Sequence, residues 1–224
     1  MALKVEEPAG APGDDRARAR SGARRVAIFG GSFNPPHVAH VLAATYALSV
    51  APIDEVLVVP VFRHPFSKEL VPFEHRLAMC ELALGWLPRV AVSAVERDLG
   101  GESLTLRTLE HLAAAHPDWA MRLLVGADVL PDLPRWHRFD RIEQLAPPIV
   151  LGRSGFAASP ADHPGEVAGD PRSPLCPAEV MLPQISSSEI RRAFAAGDLD
   201  AVRQRVPAAV LDYALARGLY GSGL

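Results

Sequence analysis

The sequence predicts an α/β protein built on a Rossmann-like, doubly wound parallel sheet with a C-terminal helical extension. Three observations carry the prediction. Short apolar, β-branched runs of strand length recur along the chain, and segments of helical periodicity separate them. The residues with unusual chemistry fall directly after those runs, where open parallel sheets bind their ligands. With 224 residues, 49% of them hydrophobic, the chain can bury one large core of this kind.

The first run, Val26–Phe29, is followed by the segment Gly30–His40 and by helical periodicity over His40–Val50. Val56–Val61 leads through Arg63–Lys68 to a helix over Glu74–Leu84. Val90–Val95 precedes Arg97–Thr105 and a helix over Leu104–Ala115. Arg122–Val125 precedes Gly126–Trp136 and a helix over Asp140–Leu145, and Ile149–Leu151 completes the sheet. Such alternation places helices on both faces of parallel strands. Residues 154–178 hold five prolines and three glycines with little apolar periodicity, which predicts a long surface loop. Helices over Ser187–Ala196 and Ala208–Arg217 follow, so that residues 187–220 form the helical C-terminal part of a single domain spanning 26–220.

Residues 1–25 mix Ala, Gly and Pro with charges of both signs and predict a disordered tail without the apolar stretch of a signal peptide. No later stretch has the apolar length of a membrane helix. The formal net charge of −3 argues against a protein that coats nucleic acid, since a phosphate backbone demands a strong positive excess. It leaves room for a local basic pocket. Cys80 and Cys176 lie far apart and lack zinc spacing, as expected of a reduced, cytoplasmic protein. No pattern sets the oligomeric state, and a homo-oligomer is left open.

The chemistry concentrates in Gly30-Gly31-Ser32-Phe33-Asn34-Pro35-Pro36-His37-Val38-Ala39-His40. The glycines allow a tight turn and let phosphate oxygens approach backbone N–H groups. Asn34 suits an N-cap and Pro35 a first helical position, so a helix is expected to begin there with its positive end toward the crevice. His37 and His40, three apart, would then share one helical face. Two imidazoles in that place can donate hydrogen bonds to phosphoryl oxygens as charge builds on an α-phosphate. A zinc pair fits less well, because no third ligand is apparent.

A second segment, Ile185-Ser186-Ser187-Ser188-Glu189-Ile190-Arg191, opens a predicted helix with consecutive hydroxyl donors. Ser187 and Ser188 suit the β,γ-phosphates of a triphosphate, and Arg191 adds a permanently charged clamp.

Together the two segments resemble the paired signatures of the (H/T)xGH nucleotidyltransferase superfamily, roughly GGTFDPxHxGH and ISSTxIR, here about 150 residues apart. Gly126-Ala127-Asp128 followed by Leu133-Pro134-Arg135-Trp136 is similar to the GxD…(P)xW stretch of bacterial nicotinate-nucleotide adenylyltransferases. Phe73-Glu74-His75-Arg76, Ser103-Leu104-Thr105 and Ala216-Arg217-Gly218-Leu219-Tyr220 match further positions of that family. The phosphopantetheine adenylyltransferases are a weaker match, being shorter and lacking the Trp136 stretch.

The resemblance implies transfer of AMP from ATP to a small mononucleotide, nicotinate mononucleotide, with Mg²⁺ bridging phosphates and no protein metal site. It implies that His37, His40 and Arg191 are catalytic. Gly30, Gly31, Ser32, Phe33, Lys68, Gly126, Asp128, Ser187 and Ser188 would bind ATP, and Thr105 and Trp136 the acceptor. Asp128 is apt because a carboxylate accepts from both ribose hydroxyls, and Trp136 because it offers a flat face to an aromatic base.

This sequence departs from the pattern at Ala39 for Gly, Asn34 for Asp and Leu104 for Tyr. Its loop Phe62–Lys68 also differs, so that Lys68 and Arg63 compete as the basic phosphate ligand. These departures surround the acceptor, which leaves nicotinamide mononucleotide or another phosphorylated acceptor as an alternative. A non-catalytic nucleotide-binding module and a class I tRNA-synthetase fragment fit less well.

Overall fold

The computed structural model describes residues 22–63, 70–152 and 182–221. Five parallel strands form one sheet: Arg24–Gly31 (β1), Glu55–Pro60 (β2), Val90–Val92 (β3), Trp119–Gly126 (β4) and Pro148–Leu151 (β5). Their order is β3-β2-β1-β4-β5, as the doubly wound expectation requires. In register, Ile28 of β1 stands beside Leu57 of β2 on one side and Leu123 of β4 on the other.

The strands read as continuous apolar runs because both faces of the sheet are covered. On one face Ala27, Phe29, Val56, Val58 and Leu124 pack against the helices Val38–Val50 (α1) and Phe73–Leu84 (α2). On the other, Val26, Ile28, Leu57, Leu123 and Val125 meet the helices Thr105–Ala115 (α4) and Phe139–Leu145 (α5). α1 buries Ala39, Ala43, Ala44 and Ala47, small residues on one helical face that let it lie close to the sheet.

The C-terminal helices Ser187–Ala195 (α6), Leu199–Arg203 (α7) and Ala208–Ala216 (α8) do not stand apart from this core. Ile190, Phe194, Val202, Val210 and Leu211 belong to the same apolar cluster as α1 and α2. The helical extension is thereby a structural part of one sheet face.

Several boundaries differ from expectation. β1 takes in Arg24 and Arg25, which the sequence pattern assigns to the tail; Arg25 pairs with Asp54 at 2.9 Å and Arg24 with Glu55. The third strand ends at Val92, and Val95–Leu99 (α3) is a short helix instead, its Val95 N–H donating to Ser93 Oγ at 3.2 Å. Ala127–Arg135 is a 3₁₀ helix containing Pro131 and Pro134. Periodicity does not predict α7, which at five residues is too short to show any; Asp198 caps it by accepting from Ala201 N–H at 3.0 Å. The segment 154–178 and Lys68 lie outside the described residues.

α1 also starts later than expected. It begins at Val38, with His37 as N-cap, and not at Pro35. Asn34 cannot cap it, because its side-chain oxygen already accepts from Val71 N–H at 3.3 Å and Tyr220 OH at 3.0 Å. The Asn34–Pro35 peptide is cis.

Candidate active site

β1 and β4 send their crossovers to opposite faces, and a crevice opens at their carboxyl ends. A cleft of about 880 Å³ occupies it. Gly30, Gly31, Ser32 and His40 line it from the β1 side, Gly126, Asp128 and Trp136 from the β4 side, and Thr105 from the start of α4. Eight of the residues singled out in the sequence thus line one cavity. Trp136 is half-buried against the apolar cluster of the second sheet face and also lines the cleft, and is therefore not a fully buried core tryptophan.

The histidines do not share a helical face. His37 precedes α1 and is 2% exposed, whereas His40 is half-buried and lines the cleft. Their rings stack at 3.7 Å between centroids and 24° between planes. His40 Nδ1 accepts from the His37 N–H at 3.1 Å, so the neutral imidazole carries its proton on Nε2 as a donor. Phe33 is 1% exposed, its ring edge-on to His40 at 4.9 Å and to Phe29 at 5.5 Å. Its side chain supports His40 from the core and does not reach the cleft. Nor is the start of α1 wholly available to an anion, because Val38 N–H donates to the Arg205 carbonyl at 2.9 Å.

The serine-arginine segment is placed differently from a simple phosphate cradle. Ser187 Oγ donates to the Pro35 carbonyl at 2.9 Å, and Arg191 Nη1 to the Asn34 carbonyl at 2.8 Å. A second Arg191 nitrogen donates to Ser188 Oγ at 3.2 Å. Ser186, the actual N-cap of α6, accepts from Glu189 N–H at 3.3 Å. The second segment clamps the first, and these bonds engage only part of the guanidinium's donor set.

The cytidylyltransferase-like family profile matches residues 28–193, a span that takes in both segments. A probable nicotinate-nucleotide adenylyltransferase of Anaeromyxobacter dehalogenans (strain 2CP-C) is 49% identical over 203 residues, covering 89% of this chain and 98% of that protein. Another of Myxococcus xanthus (strain DK1622) is 41% identical over 201 residues, covering 88% and 95%. The chain belongs to the nicotinate-nucleotide adenylyltransferase family. Among solved structures, a Plasmodium falciparum nicotinic acid mononucleotide adenylyltransferase complexed with NaAD shares the fold, with a TM-score of 0.74 at 20% identity over 89% of this chain and 98% of that one.

In this nicotinate-nucleotide adenylyltransferase family member, the structure also gives roles to residues that the sequence left without one. Arg76 is 1% exposed and donates to four backbone carbonyls: Val71 at 3.0 Å, Ser32 at 3.0 Å, Val61 at 2.6 Å and Phe62 at 3.3 Å. It ties the loop after β1 to the loop after β2. Burial lowers the affinity of its guanidinium for the proton. Glu96, 8% exposed, lines the cleft and accepts from Phe62 N–H at 3.0 Å and from the Thr108 hydroxyl at 3.1 Å. Tyr220 joins the chain's end to Asn34, and burial pushes its phenol well above the usual range. The sequence showed Arg76 and Tyr220 as matches to family positions, but only their partners show what they hold. Glu96 carried no signal beyond its place just after a strand.

Among the described residues, no helix is long and apolar enough to cross a membrane.

Proposed function

We propose that this chain transfers the adenylyl group of ATP to nicotinate mononucleotide, forming deamido-NAD and pyrophosphate in NAD biosynthesis. One observation carries the reading: His40, with its donor nitrogen set by His37, and the pair Asp128 and Trp136 line one nucleotide-sized cleft at the β1–β4 switch point.

In the proposed reaction an oxygen of the acceptor's 5′-phosphate forms a bond to the α-phosphorus, and the bond from that phosphorus to the bridging oxygen of pyrophosphate breaks. The attacking phosphate is already anionic, so catalysis consists of positioning and charge stabilisation. His40 Nε2–H donates to the α-phosphoryl oxygens. His37 holds His40 through its N–H and ring stacking, and so acts one step removed from the phosphate. Gly30, Gly31 and Ser32 offer backbone donors beside them, with Phe33 as the support behind.

Arg191, Ser187 and Ser188 brace the loop at Asn34 and Pro35, and Arg191's remaining donors serve the leaving phosphates. Lys68 or the exposed Arg63 supplies further positive charge from the loop after β2. Gly126 and Asp128 take the ATP ribose, while Thr105 and Trp136 take the pyridine nucleotide. Magnesium would be carried mainly by the substrates' phosphate oxygens and water, where it would neutralise phosphate charge.

The test is pyrophosphate release with ATP and a panel of acceptors: nicotinate mononucleotide, nicotinamide mononucleotide and phosphopantetheine. Preferential turnover of nicotinate mononucleotide is expected. Calorimetric binding of ATP without turnover of any acceptor would instead establish a non-catalytic nucleotide-binding module.

A further inference from the structure

A buried carboxylate beside a site for anionic substrates is costly unless its charge is committed elsewhere. Glu96 meets that condition. One oxygen accepts from Phe62 N–H at 3.0 Å and the other from the Thr108 hydroxyl at 3.1 Å. Phe62 is also held at its other end, where its carbonyl accepts from Arg76 at 3.3 Å. A single residue leaving the sheet is therefore fixed between a buried anion and a buried cation, by charge-assisted hydrogen bonds that are stronger than neutral ones.

The same contact reaches the far side of the cleft. Ser103 Oγ accepts from both Phe62 N–H at 2.9 Å and Arg63 N–H at 3.1 Å, and Ser103 N–H donates to the Arg63 carbonyl at 3.0 Å. Two residues later comes Thr105, the first residue of α4, and Thr108 lies one turn further along that helix. The loop after β2 and the start of α4 are thus joined into one wall, with Glu96 bonded to both.

We propose that Glu96 is a positioning residue for the acceptor: through Phe62 and Thr108 it sets the wall formed by Val61, Ser103 and Thr105 against Trp136. The inference rests on the adenylyl-transfer reading for its substrate, but the latch itself does not. Glu96→Gln keeps the shape but removes the charge: its oxygen can still accept from Phe62 N–H, while its amide nitrogen must donate to the Thr108 hydroxyl and so reverses that bond.

The experiment measures steady-state constants for both substrates, melting temperature and backbone hydrogen exchange in wild type, Glu96→Gln and Thr108→Val. Glu96→Gln should raise KM for nicotinate mononucleotide about tenfold, as expected when two buried charge-assisted bonds become weaker neutral ones, and leave KM for ATP within about twofold. Thr108→Val should move the same constant in the same direction by less. A loss of melting temperature and kcat with both KM values unchanged would reduce Glu96 to a stability residue and overturn the proposal. Equal rises in the two KM values would do the same. If wild type does not turn over nicotinate mononucleotide, the functional reading fails separately and exchange decides the latch. Faster exchange at Phe62 and Arg63 in Glu96→Gln, with β1 unchanged, supports it, and unchanged exchange there refutes it.

Discussion

Ser187 Oγ lies 2.9 Å from the carbonyl oxygen of Pro35, and Arg191 Nη1 lies 2.8 Å from that of Asn34. Two segments about 150 residues apart in sequence therefore meet backbone to side chain, and the turn after β1 is shaped by residues of α6. The turn carries its own donors, but α6 determines their position.

Arg191→Ala should lower kcat by about a hundredfold or more, since it removes the bond to Asn34 and, on the proposed reading, a donor to the leaving phosphates. Arg191→Lys keeps the charge without the planar fork and should recover only part of the rate. Pyrophosphate release checks both variants. Wild-type kcat in Arg191→Ala would contradict this role.

His40→Ala should cost on the order of 10²- to 10³-fold in kcat with little change in either KM, the pattern of a donor used mainly in the transition state. His37→Ala should cost less in rate and more in stability, because His37 is 2% exposed while His40 faces the cleft. Rate and denaturant midpoint, measured on both variants, should rank them in opposite orders.

Trp136→Ala should raise KM for the mononucleotide about tenfold while sparing ATP, and Trp136→Phe should restore most of the loss by keeping a flat face. Equal effects on the two substrates would place Trp136 elsewhere in the reaction.

Arg76→Leu leaves four carbonyl contacts unmade at a site 1% exposed, and should destabilise the protein by about 3 kcal/mol. Urea unfolding measures it. A change under about 0.5 kcal/mol would mean that water replaces the guanidinium at little cost.

Stability should fall at high pH for a definable reason. Burial raises the Tyr220 phenol and the Cys80 thiol above their unfolded values, so the folded state holds those protons more tightly. Their contribution is complete below the unfolded values, about 8.5 for Cys and 10 for Tyr, and is lost as pH rises above them. Tyr220→Phe should flatten the part of the decline that starts near pH 10, at a cost of about 1 kcal/mol at neutral pH for the lost bond to Asn34. Denaturation midpoints between pH 7 and 11 test both statements.

Much of this protein was legible in its sequence. The strands at Val26–Phe29 and Val56–Val61 announced themselves as apolar runs, and helical periodicity marked α2 and α4, because strand and helix each impose a local period on burial. The clustering of Gly30, His40, Gly126 and Asp128 after strands located the cleft, since parallel topology gathers strand ends on one side. Short elements escaped: α3 and α7 at five residues each show no period, and the 3₁₀ helix at Ala127–Arg135 contains two prolines, which in sequence read as turn signals. Asn34 misled for another reason. Residue type made it a helix cap, but Val71 and Tyr220, distant in sequence, claim its side chain.

What the sequence by itself determined is thus the fold class, the family and the residues gathered at the cleft, all of which follow from local pattern or from motif. Only the tertiary structure decided how those residues divide the work. His37 is a buried support for His40, Ser187 a brace on Pro35, and Arg76 and Glu96 the opposed anchors of Phe62. Each assignment depends on a hydrogen bond whose geometry exists only once the chain has folded, most of them between segments far apart in sequence, and local periodicity carries no information about such bonds.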